Sequence, residues 1–504
     1  MTIASAWSIA LVGMEGTLVE VEAATSPGLP RTVLVGLPDT ALHEARDRCR
    51  AALTAAGMGW PNDLLTINLT PASLPKAGSH YDLAIAAAVL AASGVVPRRL
   101  ADNMVLMGEL GLDGRVRPVR GILPGLLAAQ RCGRTQAIVP WPQIGEARLV
   151  DGLQVHGVSC LDDLVEVLQG RQVASLSPEA AAPEPVDSTG VDMADLIGQP
   201  EARWAAEVAA AGGHHMLLQG PPGVGKTMLA RRLPGLLPEL TTSEALEVSA
   251  LYSLAGRDLG GELIRQPPFA DPHHNATMAA MIGGGSRMAR PGAISLAHRG
   301  ILFLDEAPEF SPQVMEALRT PLEAGVVTIA RSQGVVRYPA QFQLVLAANP
   351  CPCGMAGTPG GQCHCPSAAI RRYTARLSGP ILDRIDIHQV FGPVTRVMAK
   401  ADRAEPTATM AARVANARAR SQQRLAGTGW RRNVEVPGHI ARGRLPEAGL
   451  AMVEKHVLRG QMSARGVDKV ARLAWTLADL ADRDPITVDD VAAALTLHDA
   501  MVTP

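Results

Sequence analysis

One segment of this chain constrains its fold more than any other: the run MLLQGPPGVGKT, from Met216 to Thr227. The run fits G-x-x-x-x-G-K-[ST], the pattern of a loop that cradles phosphate groups with its backbone N–H groups. An apolar strand precedes the loop and the helix-forming stretch MLARRL follows it, as a loop of this type requires. The segment therefore predicts a parallel α/β domain that binds a nucleoside triphosphate.

The pattern assigns a role to each residue of the loop. Lys226 is expected to reach the β- and γ-phosphates, and Thr227 is expected to ligate Mg²⁺. Glycines permit the close approach of the backbone and its unusual dihedral angles. The residues expected to surround the phosphates are Gly220, Pro221, Pro222, Gly223, Val224 and Gly225.

Two later apolar runs end in acidic or polar residues. ILFLDE (301–306) ends in Asp305 and Glu306, and LVLAAN ends in Asn349. We expect Asp305 to hold Mg²⁺ through water and Glu306 to orient and deprotonate the attacking water. Asn349 is a polar strand tip suited to holding the same water. Together with the loop, these residues predict hydrolysis of the bound nucleotide.

Arginines after these strands are candidates for completing the site. Arg384, in LSGPILDRIDIH (377–388), is the candidate for a cation that reaches the γ-phosphate bound by a neighbouring subunit. In SARGVDKVARLAW, Arg465 starts a helix and Arg472 lies further along it. We expect one of the two, by preference Arg465, to contact the nucleotide from a helical lid.

A string of motifs in this order resembles the ComM/YifB-type branch of the magnesium-chelatase-like AAA+ ATPases. The motifs are DPHHNATMAAMIGGG (271–285), PGAISLAHRGILFLDEAPEF (291–310), ANPCPCG (348–354) and GPILDRIDIH (379–388). The resemblance implies an AAA+ core with a parallel sheet, a helical lid and a hexameric ring. It also implies the same site residues: the loop 220–227, Asp305, Glu306, Asn349, Arg384 and Arg465.

The N-terminal part resembles the Lon-protease-type domain, which has the ribosomal S5-like α+β fold. The resemblance rests on LPKAGSHYDLAIAAAVLAASG (74–94) and GELGLDGRVRPVRGILPGLLAAQ (108–130). Where that family has its nucleophilic serine, this chain has His80, and where it has its catalytic lysine, this chain has Pro124. Because a Ser–Lys dyad cannot form there, we expect a structural or DNA-guiding domain and not a protease.

Changes in composition divide the chain into parts. Residues 1–170 form the Lon-type domain, and 171–190, rich in Pro, Ala, Ser and Glu without an apolar period, form a linker. Residues 191–395 form the ATPase core, and 396–504, helical throughout, form the lid. The predicted class is therefore α/β with an α+β N-terminal domain.

Four of the seven cysteines crowd into fifteen positions of the core: Cys351, Cys353, Cys363 and Cys365. Two close pairs joined by a short Gly-rich loop can wrap one metal ion tetrahedrally. Thiolates select Zn²⁺ or an iron–sulfur centre over hard cations, and we expect zinc. His364 could replace one of the cysteines as a ligand.

Three basic segments suggest contact with DNA. The first is GVVTIARSQGVVRYPAQF (325–342), which reads as a β-hairpin and carries Arg331 and Arg337. The second is the Gly-rich IGGGSRMARPG (282–292), which carries Arg287 and Arg290. The third is the basic helix RVANARARSQQRL (413–425). Repeated around a ring, small contacts to phosphates would add up and would weaken steeply with salt.

The overall composition limits the remaining functions. The formal net charge is −1, so the chain is not basic throughout, and aromatics at 3% argue against strand binding by rows of stacked rings. The sequence shows no signal peptide and no membrane span, and paired cysteines favour a reducing compartment. We therefore expect a cytoplasmic protein with no membrane partner.

The leading hypothesis is an ATP-driven ring that translocates on single-stranded or branched DNA, as the resemblance implies. Two alternatives stay open: the motor subunit of a metal-insertion complex, and a protein-remodelling AAA+ ATPase. The Lon-type domain and the cysteine insert are departures from the metal-insertion motors. A non-enzymatic scaffold would require an inert nucleotide site.

Overall fold

The computed structural model describes residues 2–36, 40–72, 74, 76, 78–98, 103–171, 191–285, 289–331, 334–357, 362–394 and 402–499. The predicted linker, 171–190, lies outside these ranges except for its first residue.

The N-terminal domain begins with a long antiparallel hairpin, β1 (Thr2–Val12) and β2 (Glu15–Ser26). Strand β4 (Leu64–Thr70) pairs antiparallel with β2 and parallel with β3 (Arg31–Val35), which gives the sheet order β1-β2-β4-β3. Apolar residues at alternate positions of β2 face the core because successive side chains of a strand point to opposite faces.

Two further layers complete this domain. Helix α2 (Asp82–Ala92) is buried along its whole length, as its Ala, Leu, Ile and Val content requires. Strands β5, β8 and β9 form a parallel sheet. The remaining elements are α1 (Thr40–Ala55), β5 (Met104–Leu106), β6 (Glu109–Leu110), β7 (Val116–Arg117), α3 (Ile122–Arg131), β8 (Gln136–Pro140), α4 (Ile144–Ala147), β9 (Gln154–Val158) and α5 (Leu161–Leu168).

The central part is built on a parallel sheet, which has five strands among the residues described. The strands are β10 (Met216–Gln219), β11 (Phe269–Ala270), β14 (Ile301–Leu304), β17 (Gln343–Ala348) and β18 (Ile387–Val390), in the order β11-β14-β17-β10-β18. The middle strands are continuous apolar runs because helices cover both faces of the sheet. This confirms the apolar strands expected before the phosphate loop, before Asp305 and before Asn349.

Helices and short hairpins surround this sheet. The hairpin of β15 (Val326–Arg331) and β16 (Gly334–Pro339) confirms the one predicted around residues 332–334. The other elements are α6 (Pro200–Gly212), α7 (Lys226–Arg232), α8 (Thr242–Ala255), α9 (Met278–Ile282), β12 (Gly283–Gly284), β13 (Arg290–Pro291), α10 (Ala293–Leu296), α11 (Pro312–Ala317), α12 (Arg319–Ala324), α13 (Ser367–Thr374) and α14 (Gly379–Leu382).

The C-terminal part is helical. Its helices are α15 (Thr407–Leu425), α16 (Gly438–Arg442), α17 (Glu447–Leu458), α18 (Ala464–Leu480) and α19 (Val488–Asp499). Helix α19 starts with a capping box: the Thr487 N–H donates to Asp490 at 2.8 Å, and the Asp490 N–H donates to the Thr487 hydroxyl at 3.3 Å.

The N-terminal domain packs directly on the ATPase core. Helix α3 lies against α8, and one hydrophobic cluster contains residues of both parts. Buried Glu146 joins them, because it accepts hydrogen bonds from the Ser253 hydroxyl at 2.5 Å and the Leu123 N–H at 3.0 Å. The turn between β1 and β2 touches the β15–β16 hairpin: a β-carbon on Gly13 would lie 2.9 Å from Val336 Cγ1.

Candidate nucleotide site

Neighbouring parallel strands bring the predicted residues together at one edge of the sheet. Strand β10 ends at Gln219 before the phosphate loop, β14 ends before Asp305, and β17 ends before Asn349. Since the carboxyl ends of parallel strands meet at the same edge, residues distant in sequence line one pocket. The pocket has a volume of about 270 Å³ and is lined by Pro222, Gly223, Gly225, Lys226, Thr227, Met228, Asp305, Glu306 and Asn349.

The loop backbone depends on its glycines. Gly223 and Gly225 have φ angles of 81° and 103°, in the region that favours glycine. A β-carbon on Gly220 would lie 2.8 Å from Phe391 Cβ, so no side chain fits there. Within the loop, Pro221 and Val224 complete the stretch between these glycines.

Lys226 is buried inside the loop. Its Nζ donates to the carbonyl oxygens of Gly220 at 2.6 Å and Pro221 at 2.9 Å, and to Asn349 Oδ1 at 3.0 Å. Burial lowers the pKa of Lys226, while Asp305 and Glu306 oppose that shift. The lysine therefore joins the loop to the tip of β17, and triphosphate oxygens would replace its carbonyl partners.

The Mg²⁺ ligands expected from the sequence are in contact. The Thr227 hydroxyl donates to Asp305 Oδ2 at 2.8 Å, and the second carboxylate oxygen accepts the Glu306 N–H at 2.9 Å. Hydroxyl and carboxylate oxygens are the donors that Mg²⁺ prefers, so these residues fit the ion. Glu306 has a φ of 51°, a strained backbone that is typical of functional positions, and its side chain is exposed towards the pocket.

His274 is a part of the site that the sequence reasoning missed. Its Nδ1 lies 3.2 Å from Glu306 Oε2, and its ring centroid lies 4.1 Å from that of His273, with the two rings tilted by 33°. Both histidines follow β11, the edge strand beside β14. The sequence offered one indication, two adjacent histidines after an apolar strand. The contact of His274 with Glu306, however, depends on the order of the strands in the sheet.

Arg384 and Arg465 lie together in a second pocket, of about 350 Å³, which shares no lining residue with the first. Arg384 pairs with Glu323 on α12, and Arg465 donates to Asp383 at 2.7 Å. Arg472 also lines this pocket, but its Nε donates to the Val436 carbonyl at 2.7 Å. Neither Arg384 nor Arg465 contacts the phosphate loop of its own chain in this structure.

The four clustered cysteines converge in space. Their sulfur atoms all lie within 4.8 Å of one another, with 3.7 Å from Cys363 to both Cys351 and Cys353. A tetrahedron with Zn–S bonds of about 2.3 Å has edges of about 3.8 Å, so the four donors, Cys365 included, fit zinc. The Met355 N–H, with neighbouring thiols, lowers the pKa of Cys353 to about 6. Gly354 abuts Pro222 of the phosphate loop.

Two of the segments predicted to contact DNA are adjacent. The Tyr338 hydroxyl of β16 donates to the carbonyl of Ala289 at 2.5 Å, beside β13. Arg337 and Arg290 are both exposed. Arg287 and the side chain of Arg331 lie outside the residues that the structure describes.

The third predicted segment lies in helix α15, and its contact with DNA stays a prediction. The arginines of α15 are engaged by the protein itself: Arg413 with Glu207, Arg418 with the Ala210 carbonyl, Arg420 with Asp482, and Arg424 with Asp479. These contacts join the helix to α6 and to the end of α18. These four arginines therefore also hold the C-terminal part together.

The Lon-type catalytic positions hold no dyad. His80 is buried and its Nε2 lies 2.8 Å from the Ile9 carbonyl oxygen, while burial lowers its pKa to about 4. The adjacent Ser79 hydroxyl pairs with Glu109. Pro124 is buried in the first turn of α3. These side chains serve packing and internal hydrogen bonding.

A parallel sheet with a phosphate loop, an Asp-Glu strand end and a polar tip on the next strand defines a P-loop ATPase of the AAA+ class. Models of the magnesium chelatase family match nearly the whole chain. Subunit ChlI of Mg-chelatase matches residues 21–143, magnesium chelatase subunit ChlI matches 192–398, and its C-terminal model matches 404–498.

Relatives match nearly end to end. An uncharacterized protein of Mycobacterium tuberculosis is 51% identical over 99% of both chains. Competence protein ComM of Haemophilus influenzae is 38% identical over 98% of this chain and 97% of its own. YifB of Escherichia coli is 39% identical over 95% and 93%. The chain therefore belongs to the ComM/YifB-type, magnesium-chelatase-like family, which implies ATPase activity with ATP and Mg²⁺.

A more distant similarity concerns a Lon protease of Solibacter usitatus, which is 25% identical over 37% of this chain. The N-terminal region is Lon-like, as expected from its motifs. Among the helices described, none is both long and apolar enough to cross a membrane.

Proposed function

We propose that this protein is a ring-forming ATPase that uses ATP hydrolysis to move along single-stranded or branched DNA. The observation that carries the proposal is the contact between the β15–β16 hairpin and the Gly-rich segment at Tyr338 and Ala289. The two basic segments belong to the same core as the nucleotide site. A full-length relative is named a competence protein, which supports a role in handling DNA.

In the proposed hydrolysis, the loop and Lys226 bind the triphosphate, and Thr227 with Asp305 holds Mg²⁺. The ion neutralises phosphate charge when bound. Glu306 accepts a proton from the attacking water, and Asn349 orients that water. Because Lys226 already bonds to Asn349, nucleotide binding would change the contacts of both residues together.

A second copy of the chain completes the proposed site. Arg384 and Arg465 share a pocket separate from the phosphate loop, and Arg465 is largely exposed at its side chain. A cation stabilises the charge of a transferring phosphoryl group only if it reaches that group. We therefore assign both arginines to the nucleotide bound by the neighbouring subunit of a ring, by resemblance a hexamer.

Movement on DNA is tested with purified protein on forked and four-way junction substrates. We expect ATP-dependent strand displacement or branch movement, and DNA-stimulated ATPase, with Glu306→Gln as the inactive control. Intact ATPase without movement or stimulation on every DNA would contradict the proposal. Stimulation by a metal-free porphyrin would favour metal insertion, and stimulation by a protein client would favour remodelling.

The cysteine cluster is proposed as a structural zinc site. Its segment is Gly-rich and too short to bury its own core, so a metal would fix its conformation. The contact of Gly354 with Pro222 would then support the phosphate loop from outside. Elemental analysis should find one zinc per chain, and Cys353→Ser should lower both metal content and melting temperature. Metal-free wild-type protein with an unchanged melting temperature would contradict the assignment.

A further inference from the structure

A basic patch spans the junction between the N-terminal domain and the ATPase core. Arg120, just before α3, lies at the C-terminal end of α8: a β-carbon on Gly256 would be 2.8 Å from the Arg120 Nε. The Gly121 N–H donates to the Ser253 carbonyl at 3.2 Å, which fixes the backbone of this segment on α8. The position of Arg120 therefore depends on the ATPase core.

Arg290 approaches the same helix from the Gly-rich segment. It belongs to β13, which packs against α8 and pairs with β12 through Gly284 and Arg290. The hydrogen bond from Tyr338 to Ala289 holds the residue before it. The backbone of Arg290 is therefore held by β12 and by the bond to its neighbour Ala289. Residues 286–288, before it, lie outside the described residues.

Both arginines lie on segments that pack against α8, and their like charges repel. Burial and the positive charge of Arg290 both lower the pKa of Arg120. In the described part of the chain, neither guanidinium has a carboxylate partner, and both residues are exposed. Arg257, by contrast, lies 4.9 Å over the Tyr252 ring.

Like charges placed together without counterions destabilise a folded protein, and an anion between them removes that cost. Guanidinium groups bind phosphate through paired N–H donors. The patch adjoins the segment and hairpin assigned to DNA above, and a nucleic-acid backbone supplies phosphates in a row. Both arguments favour a phosphate of DNA over a carboxylate partner.

We propose that Arg120 and Arg290 form a composite site for a DNA backbone phosphate, so that the Lon-like domain takes part in DNA binding. This inference rests on the proposed function, because it extends the DNA path from the core onto the N-terminal domain. The site uses one residue from each part and exists only while the two remain packed together.

The test measures binding of a labelled single strand and a four-way junction by fluorescence anisotropy over a series of salt concentrations. Arg120→Gln and Arg290→Gln are each expected to weaken binding. Each should reduce the slope of log K against log salt by about 0.7 to 0.9 for every phosphate that the variant no longer neutralises. The double variant should lose less than the sum of the single losses, since the residues share one ligand.

A second readout separates this role from a structural one. Without DNA, Arg120→Gln should raise the melting temperature, because the repulsion disappears; a structural arginine would lower it. Arg131→Gln is the matched control: it is an exposed arginine of the same domain whose Nε donates to the Leu127 carbonyl within its own helix. We expect this control to change neither the salt slope nor the melting temperature.

The outcomes distinguish the two proposals. Wild-type protein that binds no DNA would overturn the proposed function and this site together. Wild-type binding with an unchanged salt slope in Arg120→Gln would overturn the site alone. Stabilisation by inorganic phosphate that Arg120→Gln abolishes, without any effect on DNA binding, would assign the pair to a free anion and also overturn the proposal.

Discussion

The N-terminal domain and the ATPase core differ at the positions where their related families have catalytic residues. In the core, Lys226, Asp305 and Glu306 line one pocket and bond to one another or to the loop around them. In the N-terminal domain, His80 is buried against a backbone carbonyl and Pro124 packs within a helix. The core presents polar side chains to a ligand, whereas the N-terminal domain has buried, packed residues at its Lon-type catalytic positions.

The difference teaches what the N-terminal domain contributes. Its contacts with the core are extensive: α3 packs on α8, Glu146 bonds to Ser253, and the β1–β2 turn touches the β15–β16 hairpin. A domain that is fixed beside the hairpin can set the position of that hairpin. We therefore assign chemistry to the core and positioning of the hairpin to the N-terminal domain.

The largest expected effect is a loss of ATPase kcat, and it tests the assignment of chemistry to the core. Glu306→Gln should lower the ATPase kcat by about 10²- to 10⁴-fold, because general-base catalysis contributes that much, while ATP still binds. Pro124→Ala, the corresponding change in the N-terminal domain, should leave kcat unchanged. Steady-state ATPase and nucleotide-binding measurements on both variants check this. Equal losses in the two variants would break the comparison.

The second prediction concerns the neighbouring subunit. Arg384→Ala should reduce kcat by about 10³-fold, the lower end of what arginine fingers contribute. Mixing this variant with Lys226→Ala should restore activity, since each supplies the group that the other lacks at shared interfaces. Arg376→Ala, which removes an exposed arginine paired with Glu309, is the control. A mixture that stays inactive would contradict assignment of Arg384 to the neighbour's nucleotide.

Several of these features could be predicted from sequence because they are local. The phosphate loop and the polar ends of β14 and β17 follow from apolar runs and spacing. The contact of His274 with Glu306 could not be predicted, since it requires β11 to lie beside β14. The ion pairs of the α15 arginines could not be predicted for the same reason: their carboxylate partners, such as Glu207 and Asp479, are distant in sequence.

The third prediction uses buried histidines. Burial lowers the pKa of His80 and His215 to about 4 and of His388 to about 3, against about 6.5 in an unfolded chain. The unfolded state therefore binds more protons below pH 6.5, and stability falls as the pH falls from there towards 4.

Between pH 7.5 and 5.5, each histidine should cost roughly 1 kcal/mol of the free energy of unfolding. Two of the three lie in the ATPase core, so the core should lose more stability than the N-terminal domain. Denaturant unfolding at the two pH values checks this, with His388→Gln expected to weaken the dependence. A free energy of unfolding that does not change with pH would contradict it.

The smallest effect tests positioning by the N-terminal domain. Gly13→Ala should lower DNA-stimulated ATPase about twofold to fivefold and leave basal ATPase unchanged, because the new β-carbon meets Val336 of the hairpin. Gly57→Ala is the matched control, since its φ of 71° is close to the 65° of Gly13. A β-carbon there has nothing within 4 Å. Identical behaviour of the two variants would remove the positioning role.

The central claim, that this ATPase moves on DNA, is tested most directly by branch movement on a labelled four-way junction with ATP and Mg²⁺. We predict ATP-dependent conversion of the junction to products by the wild-type protein and none by Glu306→Gln. We also expect the same junction to stimulate ATP hydrolysis. Active ATP hydrolysis that no DNA stimulates, with every junction left intact, would contradict this claim.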